Sequence, residues 1–470
     1  MSKLNWGKRA YAVCLICAAT VIALPAQTFT TLHSFEGMDG AYPYAGLIQA
    51  TNGNLYGTTY GGGANSGGTV FKITPSGTLT TLYSFCSQSG CTDGEFPQAE
   101  LVQAIDGNLY GTTYQGGANG SGTVFKITPS GTLTTLYSFC SQSNCTDGRN
   151  PDAGLVQATD GNLYGTAPFG GAYDEGTVFK ITPSGTLTTL YSFCSQSGCP
   201  DGYWPVTALV QGTDGNFYGT AYGGGANGWG TVFKVTPSGT LTTLHSFGLR
   251  DGEEPEAVLV QATDGSFYGT TPGGGTYGGG TVFKITPSGT LTTLWAFGSL
   301  SSKGSSPSAG LVQDTNGTFY GTTSSGGANG WGTVFKLDTT GTLTTLHGFH
   351  GADGANSYAA LVQDTNGNFY GTTQGGGANG DGTVFSLSVG LGPFVETQPT
   401  FGKVGMAIKI LGNHLTGATG VTFNGTPAVF KVISNSLIGA VVPVGASTGT
   451  VQVTLGNGTL SSNVPFQVKP

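Results

Sequence analysis

The chain is poor in charge. Only 9% of its 470 residues are Asp, Glu, Lys or Arg, and the 16 basic residues are outnumbered by 24 acidic ones. Three of the basic residues, Lys3, Lys8 and Arg9, lie at the extreme N-terminus. Phosphate recognition needs clustered Lys and Arg, so nucleic acid is excluded as a partner. Histidine is also scarce, with five in all. His33, His245 and His347 recur at one position of a repeat, which marks them as structural, and His414 lies outside that repeat. No converging acid/base set or activated nucleophile is visible, and no cofactor or metal is expected. After residue 26 no apolar run approaches the ~20 residues a membrane-spanning helix requires.

Before residue 26 there is one shorter run. A positive start, apolar residues from Ala10 to Leu24 and a small residue at Ala26 read as a secretory signal over residues 1–26. The competing reading, a membrane anchor, would need a longer run.

What the chain has in excess is glycine, with 84 residues. Without periodicity, that would suggest a low-complexity chain. Here the glycines keep register with Val, Leu, Tyr and Phe. The motif [LF]-Y-G-T recurs at Tyr56, Tyr110, Tyr164, Tyr218, Tyr268, Tyr320 and Tyr370, spaced by 54, 54, 54, 50, 52 and 50 residues. Each copy is followed by G-T-V-F. One unit holds four strand-like runs: Leu155–Thr159, Asn162–Thr166, Thr177–Thr182 and Thr186–Phe193. Asp160-Gly161 between the first two predicts a type I′ hairpin turn with both residues at positive φ.

Four antiparallel strands per fifty-odd residues is the size of a propeller blade. A parallel β-helix is the rival, but its coils are shorter and lack tight hairpin turns. Residues 28–35 form a fourth strand without a third, and 383–387 a third without a fourth. The expectation is therefore an all-β chain: a seven-bladed β-propeller of four-stranded blades over residues 27–390, closed by the N-terminal strand.

At these residues the chain resembles the GloVer-type tandem repeat family of exported bacterial proteins, through G-N-L-Y-G-T-T, a Gly-rich loop and G-T-V-F-K-I-T-P. The resemblance implies a secreted, surface or periplasmic bacterial protein and supplies no catalytic residues. From Pro393 the repeat stops. Ile408–Gly412 (IKILG), Val421–Gly425 (VTFNG) and Thr450–Leu455 (TVQVTL) resemble an IPT/TIG domain. That likeness implies an immunoglobulin-like β-sandwich over residues 393–470, a common spacer or adhesive module.

Six cysteines remain after the signal, in three C-x₄-C pairs: Cys86/Cys91, Cys140/Cys145 and Cys194/Cys199. An even, paired count in an exported chain reads as disulfides. A zinc site is the alternative, but two Cys per repeat with no His nearby is poor zinc spacing. The D-G-x-x-P runs from Asp39, Asp93, Asp147, Asp201 and Asp251 invite a calcium reading. Calcium wants six or more oxygens, and Asp before Gly is the ordinary turn pair.

Strand alternation puts the tight turns on one face and the long loops on the other. Residues shared by all copies specify the fold, so a site would draw on what the copies do not share. Tyr203, Trp204, Trp229, Trp331, Tyr60, Tyr114 and Tyr222 are the candidates, because aromatic faces stack on sugar rings. The competing reading has them packing loops onto blades. Three functions remain open: a monomeric, non-catalytic protein binding a glycan or cell-envelope polymer, a polysaccharide hydrolase or lyase, and a purely structural surface repeat.

Overall fold

The repeated Tyr-Gly-Thr triplet does three separate jobs. Tyr164 is buried and donates its hydroxyl hydrogen bond to Asp160 of the turn below it, at 2.8 Å. Gly165 has no room for a side chain, since a Cβ there would lie 2.7 Å from both Phe179 and Leu155. Thr166 donates through Oγ1 to the carbonyl of Thr207, in the next sheet, at 2.9 Å. One triplet thus fixes a turn, a strand crossing and a neighbour.

The computed structural model describes residues 27–299 and 301–469; the secretory signal expected over 1–26 lies outside them. The chain is all-β, with only three single-turn 3₁₀ segments among the described residues. The repeat region forms seven four-stranded antiparallel sheets. In the third, Val156–Gln157, Leu163–Ala167, Thr177–Ile181 and Leu187–Ser192 lie in sequence order. We number the sheets one to seven from the sheet that starts at Ile48. The seventh takes its fourth strand, Thr28–Ser34, from the start of the described chain, paired antiparallel to Thr383–Ser388.

Contacts between consecutive sheets recur between the last and the first. Thr372 donates to the Ala45 carbonyl at 2.9 Å, as Thr58 does to Ala99 and Thr112 to Ala153. The Thr365 amide donates to Gln49 Oε1, just as Ile105 does to Gln157. Phe35, Leu47 and Phe71 share one core cluster with Tyr370 and Val384.

Two expectations need correction, and the fourth strand holds a further irregularity. The first strand is two residues long, not five, because its remaining residues run on into connections between sheets. The Asp-Gly turns are not type I′. Gly161 has φ +82° while Asp160 stays at negative φ, and the Ala158 amide and carbonyl both bond across a three-residue loop. That is a type I turn completed by a left-handed glycine. Asp is favoured there because its carboxylate accepts the Asn162 amide at 3.0 Å as well as the Tyr164 hydroxyl. Finally, the fourth strand carries a bulge where it leaves Val178 for Phe179, a register shift found in every sheet's outer pair.

Residues 396–469 form two further four-stranded sheets and one two-stranded parallel pair, around Ile410, Phe423, Ile438 and Val453. They rest on the tight-turn side of the repeats. The Phe394 amide and Asn413 both donate to Thr365, Lys409 to the Ile105 carbonyl and Ser436 to the Thr51 carbonyl. Glu396 is held at this junction, and burial followed by the nearby Asp364 pushes its carboxyl up to about 7.

Candidate functional site

The connection from each fourth strand to the next first strand is the one that crosses between sheets, since every sheet keeps its own four strands in order. Each crossing ends in the same way. A residue with left-handed backbone stands two positions before an inward-facing residue, which in turn lies three before a buried Leu.

The left-handed residues are Tyr42, Phe96, Asn150, Trp204, Glu254, Ser306 and Asn356, all with φ between 52° and 59°. Side chains other than Gly resist this conformation by about 1–2 kcal/mol each. It is held from both sides. The Trp204 amide donates to Glu175 of the preceding sheet's loop, and its carbonyl accepts from Tyr222, both at 3.0 Å. The first copy reaches back to the last sheet in the same way, Tyr42 donating to Asp381 at 2.8 Å. The same backbone conformation and the same amide bond to the preceding loop recur in every copy, so this turn belongs to the scaffold that carries the inward-facing residue.

The inward-facing residues are Tyr44, Gln98, Asp152 and Val206 from the first four sheets, then Glu256, Ser308 and Tyr358 from the rest. All seven line one pocket of about 500 Å³ on the long-loop face. Tyr114, Pro168, Phe169, Trp204 and Tyr222 complete its wall. Seven structurally equivalent positions therefore carry six residue types around a single cavity.

Two aromatic groups border it. On one side Tyr44 lies 5.8 Å from Tyr358 and edge-on to Tyr60 at 5.6 Å, and Tyr60 stacks on Phe96 at 4.9 Å. On the other, Trp204 stands edge-on to Phe169 at 6.0 Å and tilted to Tyr222 at 6.1 Å. Tyr203 braces Trp204 from behind, with ring centroids 5.0 Å apart. Trp204 itself is 37% exposed.

The acidic groups sit between these aromatics. Desolvation, opposed by a hydrogen bond from its own amide and reinforced by repulsion from Glu256, pushes Asp152 up to about 8, and no other residue donates to its Oδ1. Glu256 is raised by desolvation and then by Glu254. Glu256 is exposed to solvent, whereas Asp152 is partly buried. Glu100, two residues beyond Gln98, is pushed to about 7 by desolvation. No basic side chain lines the cavity. Arg149, the cation nearest the rim, is committed to Asp174 at 3.0 Å and lies over Phe169.

Of the seven aromatics picked from the sequence, Trp204, Tyr114 and Tyr222 line this pocket, while Tyr60 and Tyr203 back it. Trp229 lines a separate open recess with Asn227, Leu249 and Arg250, and Trp331 is exposed on the equivalent loop of the sixth sheet. Sequence reasoning missed the inward-facing column. Its signal was present: a position at fixed offset from the repeated Leu, occupied by a different kind of residue in almost every copy.

The crossings carry the cysteines. Cys86–Cys91, Cys140–Cys145 and Cys194–Cys199 are disulfides. Beside each lies the Asp of the D-G-x-x-P run, and its carboxylate is already engaged. Asp147 is fully buried and accepts from Tyr137, from the Ser141 amide and hydroxyl, and from the Gln142 amide. In crossings without cysteines the partner is His: His33–Asp39, His245–Asp251 and His347–Asp353, at 2.6–2.8 Å. The sixth crossing changes both members, with Lys303 lying 4.5 Å over the Trp295 ring. Among the described residues only Cys86, Cys91 and Glu95 bring three metal-ligating atoms together, and those two sulfurs are already bonded to each other.

Comparison with known proteins agrees with this architecture. The Gloeobacter/Verrucomicrobia repeat model matches residues 18–213, 195–385 and 299–421. The chain belongs to this repeat family. An IPT/TIG domain matches residues 395–468. No curated protein matches the chain.

Among solved structures, virginiamycin B lyase from Staphylococcus aureus aligns with TM-score 0.50 at 13% identity, over 77% of this chain and 99% of that one. A fungal alcohol oxidase of the AA5 family, in complex with copper, aligns with TM-score 0.51 at 14% identity, over 94% and 99%. The extracellular domain of a B. thetaiotaomicron putative hybrid two-component system aligns with TM-score 0.54 at 13% identity. That alignment covers 95% of this chain, which spans 59% of that protein. At such identities these likenesses establish the propeller-like fold and nothing of the chemistry. No helix among the described residues is long and apolar enough to cross a membrane.

Proposed function

We propose that this chain is an exported, monomeric, non-catalytic binding protein whose seven sheets form a closed propeller and whose central pocket holds a glycan. One observation carries the reading: the seven copies bring six residue types together at the position that converges on one cavity. A structural repeat would have no cause to vary Tyr44, Gln98, Asp152, Val206, Glu256, Ser308 and Tyr358 around one cavity while keeping every neighbouring Leu. The bonds that Thr372, Thr365 and Tyr42 make between first and last sheets support ring closure. Export is supported by the N-terminal signal pattern and by three disulfides.

The pocket suits a sugar polymer because aromatic faces and polar edges alternate along its wall. A glycan array probed with the purified chain tests the proposal. Binding is expected to a restricted set of glycans, with Trp204→Ala weakening it by about tenfold or more and Trp229→Ala leaving it within about twofold. Absence of any glycan ligand, or a Trp204→Ala variant that binds normally, would overturn it.

A second reading, polysaccharide cleavage, draws on one feature. Asp152 keeps its proton at neutral pH beside Glu256, the pairing that general-acid chemistry uses. Sustained release of new chain ends from a bound polymer, lost in Asp152→Asn, would promote this reading over simple binding.

A further inference from the structure

The pocket's charge and its walls narrow the ligand further. Asp152 lines the pocket, and no other residue of the protein donates to its Oδ1, its own amide being the sole backbone donor to the carboxyl. Buried polar atoms are almost always satisfied, and the exceptions call for a missing partner. That partner is not a basic side chain of the pocket, because none lines it. The same pocket is lined by the rings of Tyr114, Trp204 and Tyr222, and aromatic faces attract cations as well as apolar ring surfaces. Glu256 and Glu254 add negative charge on the same side, Glu254 facing the Tyr222 hydroxyl. A metal ion fits poorly, since no third ligating atom closes on these carboxyls among the described residues.

We infer that the ligand brings a primary ammonium group to Asp152 and lays a saturated ring against Trp204, so that it is a glycan of de-N-acetylated amino sugars. This rests on the glycan reading and specifies its class. An N-acetylated unit would present a neutral amide, leaving Asp152 without a charge partner. A free amine completes the carboxylate, and its ring fills the aromatic wall. Asp152 is protonated before the ligand arrives, so a proton leaves the carboxyl as the ammonium docks.

The test is isothermal titration of the full chain with glucosamine hexamer and with N-acetylglucosamine hexamer at pH 7, each in phosphate and in Tris. The glucosamine hexamer is expected to bind about tenfold or more tightly than the acetylated one. Its apparent heat should differ between the buffers by the signature of proton release. Asp152→Asn should abolish the preference for the glucosamine hexamer, and Trp204→Ala should weaken binding of both hexamers. Circular dichroism of each variant confirms that the fold is retained.

Equal affinity for the two hexamers would overturn the ammonium assignment and leave the glycan proposal standing. Binding of neither, with an empty glycan array, would overturn both. Spermidine binding as tightly as the glucosamine hexamer would show that charge alone suffices and would overturn the amino-sugar assignment.

Discussion

Three of the seven crossings between sheets carry a disulfide and four do not, yet all meet the same mechanical demand. Each must turn the chain from the outer edge of one sheet to the inner edge of the next and deliver a left-handed residue to the pocket rim. In the longer loops a Tyr–Asp hydrogen bond sets the turn and a disulfide holds the extra residues. In three shorter loops a His–Asp pair does the first job and nothing is left for the second. The sixth crossing, with Lys303 over Trp295, exchanges both members at once. The comparison teaches that the latch is the requirement. The disulfide restrains only the added length.

That ordering can be broken in steps. The largest effect should follow Asp147→Ala, which leaves the Tyr137 hydroxyl and three donors of Ser141 and Gln142 without their acceptor. Stability to urea should fall by about 2–4 kcal/mol, and a loss under 1 kcal/mol would mean the latch is dispensable. Replacing Cys140 and Cys145 by Ser should cost less, about 2 kcal/mol for so short a loop. Hydrogen exchange in that variant should rise over residues 140–150 and remain unchanged in the strands. Spread into the strands would show that the bridge supports the sheet.

The smallest effect concerns pH. Burial depresses His347 below the usual histidine range despite Asp353 beside it. The unfolded chain therefore binds the proton more readily, and the stability this group contributes is lost as pH falls from about 6.5. Protection factors over residues 347–353, with the intrinsic pH dependence of amide exchange divided out, should fall between pH 7.5 and 5.5 by a small factor, within about 1 kcal/mol. The Tyr137–Asp147 crossing should show no such change, since tyrosine does not titrate there. An equal fall of protection in both would remove the distinction between the two kinds of latch.

Much of the fold could be read from residues whose role is local. Tyr164, Gly165 and Thr166 announce a strand because β-branched and aromatic residues alternate with a glycine, and the cysteine pairs lie five residues apart. The turn type was misread because Asp160-Gly161 fits two geometries, and the choice rests on where the Asn162 amide and Tyr164 hydroxyl lie in space. The pocket was harder for another reason. Tyr203, Trp204 and Trp229 catch the eye as large residues in variable loops, but size says nothing about direction. Gln98, Val206 and Ser308 are unremarkable singly and gain meaning only when residues some fifty positions apart are seen to share a wall. The left-handed backbone at Phe96 and Trp204 had no sequence signal, because bulky residues there look like ordinary loop aromatics.

The inward-facing column behaves like a seven-character code. Each repeat writes one character, and the surrounding Leu, Gly and Thr act as punctuation that never changes. A recombination event that exchanges two repeats, or a single base change at one of these positions, rewrites the cavity without touching the scaffold. The same property makes the repeat array a ready template for reprogramming, with Tyr44, Gln98, Asp152, Val206, Glu256, Ser308 and Tyr358 as its editable text.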